Sequence, residues 1–418
     1  MIDNTNKITH SDWKSVLGMF LYIIPFFRPT IVNDWGVLSP LKNLFAAWLL
    51  MVCIIVFLKF IIRNGRIDLF LLGLISMLLV MYISTLAHSG SSYDAIINSA
   101  MLLSSAMFVE TLERHEVKPF ILALAGLLFF FVSAELVLRV VVPQGLYRFN
   151  GNARWLLENG NLQSRWCFIL VFASAALDLM KKGKYGLFFY LCASLSLLLV
   201  LQLASATSTV ALVIEILFFL FAENRQLQSV VTCRRVNLVF AGLVIAIVLF
   251  RVADYLPYAS IASFLGKDLS YMSGATFTGR TYIWDSVISS IARSPLIGYG
   301  YQQFVATDMY QFYTQTSFNS AHDLWLQIAF QGGLVGLLFF FVFYFSICHK
   351  ADTVGNSRAR MLFTGLLIAF LLTSIFENTL SGTFMIVLAI PTSRVMFDVM
   401  EGLDLTSKGN SADAKTQS

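Results

Sequence analysis

Apolar runs close to the roughly 20 residues that a helix needs to cross a bilayer recur along this chain, and they constrain its fold more than any other feature. The expected spans are 15–33, 41–62, 67–87, 93–111, 119–142, 164–180, 185–203, 205–222, 236–253, 322–347, 361–377 and 382–399. Only the polar patch from Gln202 to Thr209 separates the seventh from the eighth. With 57% hydrophobic residues, 13% charged residues and a mean hydropathy of +0.74, the chain cannot be a soluble globule around one packed core. The expected fold class is all-α. It is a polytopic integral membrane helical bundle of about twelve transmembrane helices, with one large extracytoplasmic loop containing short helices.

The expected divisions are residues 1–253, with nine membrane helices and short loops; 254–321, the loop; 322–400, with three more helices; and 401–418, a disordered cytoplasmic tail. The first span carries Arg28 and Pro29 near its far end instead of a small-residue cleavage site, so it is expected to remain a membrane helix. An amino terminus in the cytoplasm places 19 of the 29 Lys and Arg residues inside, among them Lys59, Arg63, Arg114, Lys181, Arg234, Lys350 and Arg358. This bias follows the positive-inside rule, implies an even number of spans, and puts both termini inside and the long polar stretch outside. The net charge of +5 is mostly this topological signal and gives no reason to invoke nucleic acid. Cys53, Cys167, Cys192, Cys233 and Cys348 show neither metal-ligand spacing nor a disulfide framework.

The remaining basic residues on the outer face are mostly arginines: Arg28, Arg139, Arg148, Arg154, Arg165, Arg251, Arg280 and Arg293, against Lys42 and Lys267 alone. A guanidinium fork suits phosphate and carboxylate oxygens, so an extracytoplasmic anion site is expected; any one arginine could instead pair with a lipid headgroup or an acid. The segment Pro143 to Gln163 is rich in glycine, asparagine and aromatic residues around Arg148 and Arg154. Rings and amides of this kind serve sugar-binding surfaces, and they also describe an interfacial loop with an aromatic belt.

In the long outer stretch, Thr278-Gly279-Arg280 is followed by Trp284, Val287, Ile288 and Ile291 at helical spacing. A short amphipathic surface helix is expected there, capped by Thr278 or a neighbouring hydroxyl, with Arg280 in its first turn where helix-start amides also attract anions. The alternative is a structural Arg280 paired with Asp285 or another acid. Pro295-Leu296-Ile297-Gly298-Tyr299-Gly300 follows no strand of a βαβ unit and fits a tight turn rather than a dinucleotide fingerprint. His322-Asp323 then falls at the outer end of the tenth span, where a neutral imidazole can accept a proton; His88 is its rival on that face. In the fifth span Glu135 and Arg139 share a helical face, as a structural pair or a functional one. Glu215 lies well inside the eighth span and either lines a cavity or pairs structurally.

Taken in order, Thr278-Gly279-Arg280-x-x-x-Trp284, then Pro295-Leu296-Ile297-Gly298-x-Gly300-x-x-x-Phe304, then His322-Asp323 and Gly333-x-x-Gly336, resemble the O-antigen ligase and O-antigen or exopolysaccharide polymerase superfamily of bacterial membrane proteins. The specific match runs from Thr276 to Gly336, while the span plan is similar over nearly the whole chain. The resemblance implies a metal-independent, inverting glycosyl transfer without a cofactor, on the outer side of the bacterial cytoplasmic membrane. A glycan on undecaprenyl diphosphate is moved to an acceptor hydroxyl. Arg280 matches the arginine that engages the diphosphate, and His322 the proposed general base.

Two positions depart from the family pattern. Asp323 stands where Asn, Ser or Gln is frequent, and its carboxylate is expected to raise the histidine's basicity or bind a sugar hydroxyl. The Ser-Arg element of ligases is absent from Ala204-Ser205-Ala206-Thr207-Ser208-Thr209, so a second diphosphate-binding cation is expected from Arg165, Arg154 or Arg148. Thr278, Gly279, Trp284, Tyr299, Asp323 and Glu215 complete the expected substrate-binding set. The missing arginine favours a polysaccharide polymerase over a ligase that loads lipid A core or protein. A lipid-linked oligosaccharide flippase is the more distant reading, disfavoured because neither internal repeats nor paired Gly/Pro interruptions are present. A chain-length regulator and a flippase are the expected protein partners.

Overall fold

A computed structural model describes residues 10–63, 65–149, 152–157, 160–203, 205–222, 224, 231–249, 280–306 and 318–400. Its helices follow the apolar runs. They are α1 (His10–Ile23), continued by a 3₁₀ turn over Ile24–Phe27, α2 (Ile31–Asp34), α3 (Ser39–Ile62), α4 (Leu69–Ala87), α5 (Ser92–Glu110) and α6 (Arg114–Val141). After a hairpin of β1 (Tyr147–Phe149) and β2 (Asn152–Arg154) come α7 (Ser164–Lys182), α8 (Leu187–Gln202), α9 (Ala206–Leu220), α10 (Cys233–Leu249), α11 (Arg280–Arg293), α12 (Leu324–Thr353), α13 (Ser357–Ser374) and α14 (Gly382–Leu388).

Polar residues between the runs set where the helices begin. Asp68, Ser91, Ser205, Asn356 and Ser381 each accept a hydrogen bond from a first-turn amide of the helix that follows. Ser205 thereby divides α8 from α9. The last expected span is broken: α14 ends at Leu388 and helix resumes at Arg394, with Pro391, which has no N–H to donate, in the turn between.

Among the described residues, five helices are long and apolar enough to cross a membrane: Pro40–Ile62, Leu69–Ala87, Arg114–Val141, Leu324–Thr353 and Ser357–Ser374. The shorter apolar helices include Leu187–Gln202 and Ala206–Leu220; at 1.5 Å per residue they reach about 22–24 Å, less than a hydrocarbon core of about 30 Å. Other expected spans coincide with helices that are shorter or carry charge, as α7 does with Arg165, Asp178, Lys181 and Lys182.

Burial sorts the helices. In α13, 78% of the apolar window is buried, against 22% in α3, so α13 is central and α3 presents Leu50, Ile54, Leu58 and Ile61 outward, an apolar face suited to lipid. The charged connections gather at one end, where Lys59 pairs with Glu116 at 3.3 Å and Arg234 with Asp352 at 3.2 Å. At the other end Ser91 N donates to Tyr301 O at 2.7 Å, Ile31 N to Leu156 O at 3.3 Å and Thr383 Oγ1 to Phe26 O at 2.7 Å. The segments expected outside the membrane therefore meet on one face of the bundle.

Glu135 and Arg139 hold that face together. Glu135 Oε1 accepts from Arg139 Nε at 2.8 Å, and its Oε2 accepts the amides of Leu156 and Leu157, each at 2.9 Å. Arg139 reaches Gln163 Oε1 at 3.0 Å and lies 4.3 Å from the Trp155 ring centroid. The pair anchors the loop after α6, which is the structural role.

Candidate active site

The amphipathic helix expected after Thr278 is α11, described from Arg280; Thr278 and Gly279 lie outside the described residues. Its Thr281, Ile283, Trp284 and Val287 are buried, and the Trp284 ring lies 6.4 Å from that of Phe376. This leaves Arg280 at the helix start, where one guanidinium nitrogen donates to Glu377 Oε1 at 2.6 Å. The partner is neither Asp285 nor another near neighbour in sequence. Glu377 follows the end of α13, its amide bonded to Thr373 O at 3.1 Å.

The second oxygen of the same carboxylate faces His322, with Nδ1 to Oε2 at 3.4 Å. Glu377 thus bridges the arginine and the histidine that the sequence singled out. Side-chain exposure runs from 10% at Glu377 through 19% at Arg280 to 32% at His322, so the carboxylate is the shielded member and the imidazole the accessible one. With the proton on Nδ1 directed at Glu377, Nε2 presents its lone pair outward.

His322 is held in a strained backbone state, at φ 50°. Non-glycine residues adopt this left-handed region rarely and at a cost of about 1–3 kcal/mol, which surrounding bonds have to offset. Ala321 N donates to Gln327 Oε1 at 2.9 Å and His322 N to Ser320 Oγ at 3.2 Å. Asp323 is buried and caps α12, its Oδ1 accepting from Leu326 N at 2.7 Å. The carboxylate facing the imidazole is therefore Glu377, and Asp323 holds the backbone. Trp325 Nε1 donates to Ser374 Oγ at 3.1 Å, tying the start of α12 to the end of α13 and so His322 to Glu377.

Below the site, the glycine turn is stitched into a break in α12. Gly333 has φ 62° and ψ −162°, which interrupts the helix. The amides of Leu334 and Val335 turn to Pro295 O at 2.8 Å and Leu296 O at 3.1 Å, while the carbonyls of Phe330 and Gln331 accept from Tyr299 N at 2.7 Å and Gly300 N at 2.9 Å. The turn thus satisfies two amides and two carbonyls at the break, as irregular backbone inside a membrane protein requires. Gly298, at φ 66°, and Gly300, at φ 70°, are also left-handed, and a Cβ on Gly300 would collide with the Thr85 backbone.

Two cavities flank the segment from Glu377 to Gly382 and share Met101. One, of about 110 Å³, is lined by the amides of Asn98, Gln327, Gln331 and Asn378 together with Tyr301. The other, of about 180 Å³, is lined by Arg28 and Arg165, with Asn33 and Ser381. Of the expected cations, Arg165 therefore lies in a cationic cleft, joined by the outer arginine Arg28. Arg148 and Arg154 sit on the hairpin, where Arg148 is opposite Ala153 and the Arg154 guanidinium lies 5.7 Å from the Phe149 ring; neither lines these cavities. Tyr299 packs between His88, at 5.0 Å, and Phe330, at 5.2 Å, as part of the stitched turn. Glu215 is buried in α9, and neither of its oxygens has a hydrogen-bond partner among the described residues.

Residues 191–341 match the family model described as O-antigen ligase. In this segment the chain is similar to the O-antigen ligase/polymerase superfamily. That similarity, together with the apolar helices, supports a membrane protein and, at the level of the family, a glycosyltransferase-like enzyme. No curated protein matches the chain. The O-antigen ligase match takes in Arg280, the stitched turn and His322, and ends before Glu377. Glu377 is the residue that sequence reading missed. Its signal was an acid at the polar end of the eleventh apolar run, where ionisable groups are expensive enough to suggest function.

Proposed function

We propose that this chain is a polysaccharide polymerase. It moves a glycan from undecaprenyl diphosphate to an acceptor sugar hydroxyl on the outer side of the cytoplasmic membrane. The observation that carries the reading is the Arg280–Glu377–His322 cluster, with its anion-binding cation and accessible base on one carboxylate. The acceptor oxygen forms a bond to the anomeric carbon as the bond from that carbon to the diphosphate oxygen breaks, with inversion. The acceptor proton passes to His322 Nε2, and Glu377 stabilises the imidazolium that results. Charge developing on the leaving diphosphate is met by Arg280, with Arg165 and Arg28 as the second cationic group. The amide-lined cavity beside Asn378 suits sugar hydroxyls. The family description favours a second reading, a ligase, which differs only in its acceptor.

The test uses purified protein in vesicles with a synthetic diphosphate-lipid repeat unit as both donor and acceptor. A polymerase yields a ladder of products, whereas transfer only to lipid A core or protein establishes a ligase. Arg280→Ala lowers the rate by about 10²–10³, the scale for removing one donor to a developing anion. An unchanged ladder from that variant rejects the assignment of Arg280.

Glu377→Gln keeps the size of the side chain and removes its charge. The imidazole loses its orienting partner, and transfer slows by about 10–100-fold, the scale at which orienting partners of functional histidines act. The measurement is single-turnover transfer at saturating donor, and a wild-type rate there assigns Glu377 a purely structural role.

A further inference from the structure

At the end of the bundle away from His322, a cavity of about 400 Å³ opens between the ends of α4, α5 and α12 and the helical segment from Arg394. The 30 residues of α12, spanning at most about 45 Å at 1.5 Å per residue, lie between it and the candidate active site. Six charged side chains line it. Arg66, Lys350 and Arg394 are exposed at its rim; Asp68 and Glu110, less exposed, form its floor, and Asp398 stands at the edge.

These charges are not in direct contact with one another, although Lys350 acts on Glu110 through space. No two of the six form an ion pair, although cations and acids are equal in number around one space. Asp68 Oδ1 accepts from Leu71 N at 3.0 Å and Glu110 Oε1 from Thr392 Oγ1 at 3.3 Å, which fixes both acids in place and leaves each a further oxygen for a ligand. Three cations at the rim suit the oxygens of a phosphate. Two fixed carboxylates at the floor suit an ammonium with several N–H donors. Phe397 and Pro391 add an apolar wall.

We propose that this cavity binds the zwitterionic headgroup of a phosphatidylethanolamine, with the ammonium on Asp68 and Glu110 and the phosphate among Arg66, Lys350 and Arg394. Its place at helix ends, beside apolar helix faces, favours a membrane lipid over a soluble phosphoester as the source. An anionic headgroup without the ammonium leaves the acids unsatisfied, and a choline headgroup offers them no N–H donor. The site is independent of the chemistry at Arg280 and His322.

The full-length protein is stripped of lipid in detergent and titrated with phosphatidylethanolamine, phosphatidylcholine or phosphatidylglycerol, and bound lipid is counted by native mass spectrometry. One phosphatidylethanolamine is retained per chain, about tenfold or more tightly than the other two, the scale of one charge-assisted hydrogen bond. Glu110→Gln abolishes that preference, and so does Asp68→Asn. Arg394→Gln, at an exposed position, weakens all three lipids together. Soluble phosphoethanolamine displacing the lipid at equal concentration identifies a free phosphoester as the ligand and overturns the lipid assignment. Equal retention of the three lipids, or a preference unchanged in Glu110→Gln and Asp68→Asn, overturns the proposal.

Discussion

Replacing His322 by asparagine lowers the rate of glycan transfer by about 10²–10⁴-fold while the protein remains folded. Asparagine is the informative choice because of the backbone. At φ 50° the position is left-handed, a conformation that asparagine adopts far more readily than most residues, so the strain is not increased. The amide side chain cannot serve as a base at neutral pH. The loss therefore falls on proton removal from the acceptor, and binding of the diphosphate-linked donor stays at the wild-type level. Initial rates of product formation and donor affinity, measured on the same preparation, separate the two. A variant that transfers glycan at the wild-type rate removes His322 from the mechanism, and one that fails to bind donor makes it a binding residue.

Gly333→Ala prevents stable folding, at a cost above about 4 kcal/mol, the range reserved for a few severe mechanisms. Its φ of 62° and ψ of −162° lie in a region that is nearly exclusive to glycine. A Cβ there would also collide with the carbonyl of Leu296, the group that accepts from Val335 N. Relieving that collision draws the turn away from α12 and exposes freed backbone groups where no water replaces them. Gly336→Ala is the matched control. Its added Cβ meets nothing closer than 3.8 Å, and its φ is not positive, so alanine there is tolerated. Yield of monodisperse protein after detergent extraction, together with thermal unfolding, reads both variants. Equal stability of the two would mean that the break at Gly333 is not required.

These two glycines show how far the sequence was legible. Gly333-x-x-Gly336 reads as one motif in the chain, but only Gly333 carries the break, because that depends on where Pro295 and Leu296 approach. Helices α3, α4, α6 and α13 were visible since lipid and core impose apolar runs that local composition records. The amphipathic stripe through Trp284, Val287 and Ile288 likewise located α11. Glu377 was not visible, for it meets Arg280 across 97 residues and His322 across 55, and no local pattern encodes a contact at that separation. For the same reason Asp323, next to His322 in the chain, suggests a carboxylate that raises the histidine's basicity or binds a sugar hydroxyl, while the folded backbone uses it as a cap. The joining of Arg28 with Arg165 is a third case, since Arg28 follows the turn after α1 and Arg165 lies in α7, and the two are neighbours only in space.

The 2.6 Å contact between Arg280 and Glu377 also bears on turnover. In the proposed reaction the spent carrier still bears its diphosphate, and a cation that held it without competition would keep it as an inhibitor. Glu377 offers the guanidinium an internal anion to return to, so each departure of product is matched by re-formation of the pair. The carboxylate that orients the base would then also set how quickly the carrier is released for another round.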